Sequence, residues 1–256
     1  MARTLKLTVS YDGTRFVGWQ RQAEGVSIQG LLEDALARFE GAPVAVHGAG
    51  RTDAGVHALG QVASARMTSA HPTDAVARGL NACLPPDVRV IDVQEAAADF
   101  HARFSARSKM YRYLLRNATI ASPFERTSVW HVPEPLDVDA MRTAAHTLVG
   151  THDFAAFRGA GSDTKETVRT ITRSELTSDA FSGWQDAPMG PLIAYEVSGD
   201  GFLRHMVRAI VGTLVEIGRG RRPAPSMAAL LAGGSRALAG VTAPPQGLFL
   251  VRVVYD

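Results

Sequence analysis

Gly50-Arg51-Thr52-Asp53-Ala54-Gly55-Val56-His57-Ala58 separates two stretches that read as strands, Pro43 to His47 before it and Gly60 to Met67 after it. A glycine-flanked connection between two strands makes this the hinge of the chain's first half. Upstream, Leu5 to Tyr11 alternates as a strand and turns at Asp12-Gly13. Ser27 can cap a helix running to about Glu40, with Leu31, Leu32, Ala35, Leu36 and Phe39 on its buried face. Downstream, Thr73 to Cys83 reads as a helix that Pro85-Pro86 ends, and Val88 to Val93 returns as a strand.

Strand, helix, strand, strand, helix, strand is an α+β pattern of the ferredoxin-like kind. The second half has a similar rhythm. Lys109 to Arg116 and Thr127 to Val132 read as strands, and Asp137 can cap a helix through Leu148 with Gly150 at its end. Val168 to Thr177 and Leu192 to Ser198 read as strands around a loop rich in Gly, Pro, Ser and Asp. Phe202 to Ile217 reads as the strongest helix, Ser226 to Leu231 as a short one, and Leu248 to Val254 as a closing strand. The expected fold is α+β, two related ferredoxin-like halves with mainly antiparallel sheets. The expected domains are residues 1–107, carrying the Asp53 loop, and 108–256.

The loop has its own chemistry. Alternation places the Arg51 and Asp53 side chains on one side of an extended backbone, and a nearby guanidinium favours the ionised carboxylate. A positioned anionic Asp on a loop suits a nucleophile or a base. The segment lacks the Lys-Ser/Thr of a P-loop, and its glycines do not follow dinucleotide-binding spacing. His47, Asp53, His57 and His101 leave metal-dependent hydrolysis open as an alternative, though no His-x-x-x-His or Cys pair supports it.

The chain has 256 residues, 46% of them hydrophobic, which suits one large or two medium domains with real cores. No apolar run approaches the length that spans a bilayer, and the N-terminal stretch has no signal-peptide core. Cys83 is the single cysteine, so no intrachain disulfide can form; it is expected as a small buried group near a helix end. The expected location is cytoplasmic. A net charge of +2 is too small to diagnose a partner, so the distribution matters more. Arg103, Arg107, Lys109, Arg112 and Arg116 interleave with Phe104, Tyr111 and Tyr113, and further basic residues sit at Arg204, Arg208, Arg219, Arg221 and Arg222. Cations meet phosphates and flat rings stack on bases, which suits a nucleic-acid surface; a non-catalytic RNA-binding module is a second alternative. In the late helix Leu203, Val207, Ile210, Val211 and Leu214 form an apolar stripe, with Arg204 and Arg208 four apart on one face and Gly212 leaving room for close approach.

Several separated stretches agree with one family. Ser10-Tyr11-Asp12-Gly13, Gly18-Trp19-Gln20-Arg21-Gln22, Ser27-Ile28-Gln29, the Gly50–His57 loop and Gly60-Gln61-Val62 come first. Asn81-Ala82-Cys83-Leu84-Pro85, Asp99 to Ala106, Tyr111-Arg112-Tyr113 and Asp153 to Arg158 follow, then His205-Met206-Val207-Arg208 and Gly247-Leu248-Phe249-Leu250. In this order they cover nearly the whole chain, which resembles the tRNA pseudouridine synthase A family.

The resemblance implies isomerisation of uridine to pseudouridine at positions 38–40 of the tRNA anticodon stem-loop, without metal or organic cofactor. It implies a homodimer and a pseudouridine-synthase core with the active-site cleft between the two halves; membrane and DNA are not implied as partners. Carried over by residue, it makes Asp53 the nucleophile. Tyr111 stacks on the target base and is the candidate late general base, and Arg208 pairs with Asp53. Arg51, Arg204 and His57 are the expected substrate contacts beside Leu248, which walls the base pocket. Whether Asp53 attacks C6 of uracil, attacks C1′ of ribose or abstracts a proton stays open at this level.

Overall fold

Every second residue of the first strand is buried, and that alternation sets the architecture around it. The structure, a computed structural model, describes residues 2–161, 164–178 and 190–256. The chain forms two compact units, Met1–Lys109 with Phe249–Asp256, and Met110–Leu248.

The first unit is built on β1 (Arg3–Tyr11), α1 (Ile28–Glu40), β2 (Val46–Gly48), β3 (His57–Met67), α2 (Thr73–Cys83) and β4 (Val88–Ala96). It also carries most of the final strand, β10 (Leu248–Val254). The strands lie in the order β4-β1-β3-β10, and β2 pairs with the far end of β3. Leu7 faces Ala63 on β3 and Val93 on β4, both antiparallel, so β1 is central. Leu5, Leu7, Val9 and Tyr11 make one buried row along it. β10 runs parallel to the start of β3, pairing Phe249 with His57 and Leu250 with Ala58.

Ser27 caps α1 as expected, its hydroxyl accepting from the Gly30 amide at 3.2 Å. Gly41 ends the helix at φ 73°. Ile28, Leu32, Ala35 and Leu36 are buried; Leu31 and Phe39 are half-buried at the rim, with the Phe39 ring against Gly79 of α2. Cys83 corrects an expectation. It is exposed, because α2 ends there and Leu84, the next residue, occupies the core position.

The second unit carries β5 (Ser108–Asn117), β6 (Trp130–Val132), α3 (Val138–His146), β7 (Gly150–Asp153), β8 (Val168–Ser178), β9 (Leu192–Gly199), α4 (Met206–Gly218) and α5 (Ser226–Leu231). Its strand order is β5-β9-β8-β7, with β6 beside β5. Pairing is antiparallel for β8–β9 and β7–β8 and parallel for β5–β6. The protein is thus mixed α/β with mostly antiparallel sheet. The loop expected between 177 and 192 falls chiefly on 179–189, outside the described residues.

Several strand ends shift, with β3 starting at His57 rather than Gly60, β4 running to Ala96 rather than Val93 and β6 starting at Trp130 rather than Thr127, and two helix boundaries move by two residues or more. α3 is capped by Asp137, whose carboxylate accepts from the Ala140 amide at 2.9 Å. It ends at His146 rather than Leu148, because the amides of Thr147, Leu148 and Val149 each bond three residues back and tighten the last turn. α4 starts at Met206 rather than Phe202, because His205 stands at φ 61°, outside helical space. Among the described residues no helix is long and apolar enough to cross a membrane.

Candidate active site

Asp53 lies half-buried on the loop from β2 to β3. Its carbonyl accepts from the Val56 amide at 3.1 Å, closing a turn in which Gly55 takes φ 76°. The residues just before it are held by three others. The Thr52 carbonyl accepts from the Trp19 amide at 3.0 Å. The Thr52 hydroxyl meets the Tyr11 hydroxyl at 2.8 Å. The Gly50 carbonyl accepts from Nε2 of Gln61, a fully buried side chain, at 2.9 Å.

Backbone crowding completes the grip. Gly18, at φ 107°, passes so close that a Cβ there would stand 2.6 Å from the Thr52 carbonyl oxygen. A Cβ on Gly13 would stand 2.0 Å from the Val56 carbonyl oxygen. The stretches around Tyr11, Trp19, Asp53 and Gln61, far apart in sequence, therefore meet around one carboxylate-bearing loop. A loop so constrained holds its side chain without reorganising, which is what a nucleophile or base requires.

His57 is only 3% exposed and opens β3. Its ring stacks on Phe249 at 4.7 Å and 19°. Nδ1 lies 3.0 Å from the Gly13 amide, which points its N–H at the ring, and 3.2 Å from an Asp12 carboxylate oxygen. Burial of Asp12 works to raise its pKa, but hydrogen bonds from Thr14 and the nearby His57 outweigh it and hold the carboxyl below its ordinary value. Arg51 is exposed and makes no ion pair among the described residues, so the local Arg51–Asp53 pair expected from alternation is not formed.

In the second unit Tyr111 sits on β5, 7% exposed, with its ring edge-on to Phe202 at 5.0 Å. Arg208 is half-buried in the first turn of α4, its Nε donating to the Ala243 carbonyl at 2.7 Å. The Ala243 amide returns a bond to the Arg208 carbonyl at 3.0 Å. This close approach depends on Gly212, where a Cβ would fall 1.7 Å from the Val241 carbonyl oxygen. Leu248 is buried at the start of β10.

Arg204 precedes the helix, so the face expected to be shared with Arg208 does not exist. It is exposed and donates to the carbonyls of Ala160 and Gly161, each at 3.2 Å. His47 and His101 stack on one another at 5.0 Å, and His57 is held against Phe249 instead. Among the described residues no group of three His, Cys, Asp or Glu is placed to hold a metal ion.

Tyr11, Trp19 and Gln61 hold this loop although residue type and spacing alone assign them no role. The signal for Tyr11 and Gln61 is a polar group, a hydroxyl or an amide, at a position that strand alternation assigns to the core; Trp19 acts through its backbone amide, which leaves no trace in the sequence.

Comparison with known proteins follows the same stretches. A family described as "tRNA pseudouridine synthase" matches residues 7–105 and 144–256. A protein of Myxococcus xanthus named "tRNA pseudouridine synthase A" is 51% identical over 98% of this chain and 91% of its own length. Proteins of the same name from Geotalea uraniireducens (strain Rf4) and Pelobacter propionicus (strain DSM 2379 / NBRC 103807 / OttBd1) are each 46% identical over 99% of this chain and the whole of theirs.

Proposed function

The chain belongs to the tRNA pseudouridine synthase family, an isomerase family that converts uridine to pseudouridine in tRNA, and we propose that it acts at positions 38–40 of the anticodon stem-loop with Asp53 as nucleophile. The supporting observation is the loop itself, a half-buried carboxylate on a segment whose Gly50 and Thr52 are held by Gln61, Trp19 and Tyr11. The reaction breaks N1–C1′, turns the uracil and joins C5 to C1′. C5 loses a proton and N1 gains one, the carboxylate's bond forms and is later broken, and nothing is oxidised or reduced, so a carboxylate acting covalently and a base that takes the C5 proton suffice.

Tyr111 is the proposed stacking partner of the everted base and the candidate for that base. Arg208 is proposed to pair with Asp53, fixing its charge and position. Arg51 and Arg204, both exposed cations, suit the RNA backbone; Leu248 suits the apolar wall of the base pocket. His57, being buried, serves through the Gly13 amide beside it, on the inner side of the loop. Flipping a base costs a few kcal/mol and stacking on one aromatic returns about 1–3 kcal/mol, so phosphate contacts supply the rest.

We further propose that residues 1–107 and 108–256 are related ferredoxin-like halves. With β6, β7 and α5 set aside as additions, the chain order β5-α3-β8-β9-α4-β10 follows β1-α1-β2-β3-α2-β4, and the spatial order β5-β9-β8 follows β1-β3-β2. A homodimer acting on tRNA in the cytoplasm completes the proposal.

The test is incubation with unmodified tRNA transcripts and chemical mapping of new pseudouridines. Modification confined to positions 38–40 is expected. Asp53→Asn is expected to cut turnover by more than roughly a thousandfold, about 4 kcal/mol of barrier, with tRNA binding retained. Near wild-type turnover by that variant would end the assignment of Asp53.

A further inference from the structure

A single exposed apolar side chain is ordinary, but an exposed ring backed by further rings and set beside a cation offers a face on which a nucleobase can stack. Phe104 is 75% exposed, yet it ends an ordered row of rings. His47 stacks on His101 at 5.0 Å and 26°, His101 meets Phe104 at 4.4 Å and 36°, and the Arg103 guanidinium lies 5.6 Å from the Phe104 centroid.

The turn that presents the ring is pinned. The amides of Arg103 and Phe104 both donate to Nδ1 of His101, at 3.1 and 3.4 Å. Burial, and then the charges of His47 and Arg103, hold His101 below the ordinary histidine range, so the Nδ1 lone pair stays available. Ala102 is buried beneath, its amide donating to the Ser64 hydroxyl and its carbonyl accepting from the Tyr255 hydroxyl. Phe104 therefore has little freedom left to lose on binding.

Resting on the reading of this protein as a tRNA-modifying enzyme, we propose that Phe104, backed by His101 and His47 and flanked by Arg103, is a stacking platform for an unpaired RNA base other than the target uridine. Arg103 makes no ion pair among the described residues, and neither does Arg51, so phosphates find both cations available. A rigid ring beside an unneutralised guanidinium is the combination that holds single-stranded RNA. His47 precedes Asp53 by six residues, so their Cα atoms are at most about 22 Å apart, a distance one bound RNA spans in several nucleotides.

The full-length enzyme and a tRNA transcript test this. Phe104→Ala is expected to weaken tRNA binding about five- to a hundredfold, with the loss falling on Kd and KM. Phe104→Trp should restore binding, and Arg103→Ala should lower the slope of log affinity against log salt by about one. The platform is wrong if Phe104→Ala binds tRNA as wild type does, or if Ala and Trp weaken it equally. A shift in sedimentation with unchanged tRNA affinity would reassign the patch to self-association and also overturn it. The binding arm is read independently of turnover. An active wild type with an indifferent Phe104→Ala sinks the platform alone, whereas a wild type that forms no pseudouridine in tRNA sinks the reading beneath it.

Discussion

At the residue scale, two buried polar side chains serve one loop. Tyr11 and Gln61 are core positions of central strands, and both turn a polar atom toward the segment that carries Asp53. Tyr111 has the opposite economy: its ring is buried against Phe202, and its hydroxyl is the group proposed for chemistry. Tyr111→Phe separates the two, since the edge-on contact and the stacking face survive while the hydroxyl is lost. We expect tRNA binding to persist and pseudouridine formation to slow by about 10²–10⁴-fold, the range that a general base supplies. Single-turnover kinetics measure it, and a rate equal to wild type removes the proton-transfer role. Asp53 was legible from sequence because glycines around a carboxylate are hard to explain as core. Tyr11 and Gln61 were not, because a strand pattern reports which face is buried and says nothing about what a buried hydroxyl or amide bonds to.

At the scale of elements, what sequence periodicity reads well is the apolar face, and what it misreads is backbone. α2, α5 and β10 span the residues expected of them, and α1 begins after the serine expected to cap it. β7 went unread because Gly150-Thr151-His152-Asp153 has no apolar alternation; it is a short polar strand at the end of its sheet. α4 was extended too far because Phe202 and Leu203 continue its stripe, while the left-handed turn at His205 leaves no hydrophobic trace. Gly212 in the same helix sets two effects against each other. Helix propensity alone predicts that Gly→Ala stabilises by about 1 kcal/mol. The added methyl would lie 1.7 Å from the Val241 carbonyl oxygen, well inside contact distance, and that neighbour is backbone. Overlap outweighs propensity, so Gly212→Ala should destabilise by about 1–3 kcal/mol or more. It should also cost activity by displacing Ala243 from Arg208. Urea denaturation decides; a variant as stable as wild type means that the 241–243 segment yields without cost.

At the scale of the whole molecule, buried phenols are distributed over both units, Tyr11 and Tyr255 in the first, Tyr113 and Tyr195 in the second, and burial pushes each pKa upward. On the acid side, Asp12, Glu134, Asp153 and Asp256 are held below the ordinary carboxylate value; hydrogen bonds lead the causes in the last three, and in Asp12 they overcome an opposing desolvation. The signs differ. Depressed carboxylates contribute stability above about pH 4 that is lost as pH falls through their folded values. Raised phenols contribute stability that is complete below about pH 10 and lost as pH rises through theirs. His101, which burial lowers, adds an earlier loss as pH falls below the ordinary histidine value near 6.5, so folding stability should be level from about pH 7 to 9 and decline on both flanks. Tyr11 is the sharpest test of the alkaline flank. Desolvation raises it to about 12 against the lowering effect of its bonds to Thr52 and Gln61. Between pH 10 and 12 the unfolded chain sheds this proton and the folded chain keeps it, which favours unfolding by roughly 3 kcal/mol at full extent. Tyr11→Phe loses the Thr52 contact, so its stability at pH 7 should drop by about 1 kcal/mol. Phenylalanine has no proton to lose, so the same variant should decline less steeply above pH 10, and the two stability curves should converge there. Urea midpoints measured from pH 7 to 11 make the comparison. Parallel alkaline slopes in wild type and variant would mean that Tyr11 titrates alike in the folded and unfolded chains, and that it is not the buried hydroxyl holding the Asp53 loop.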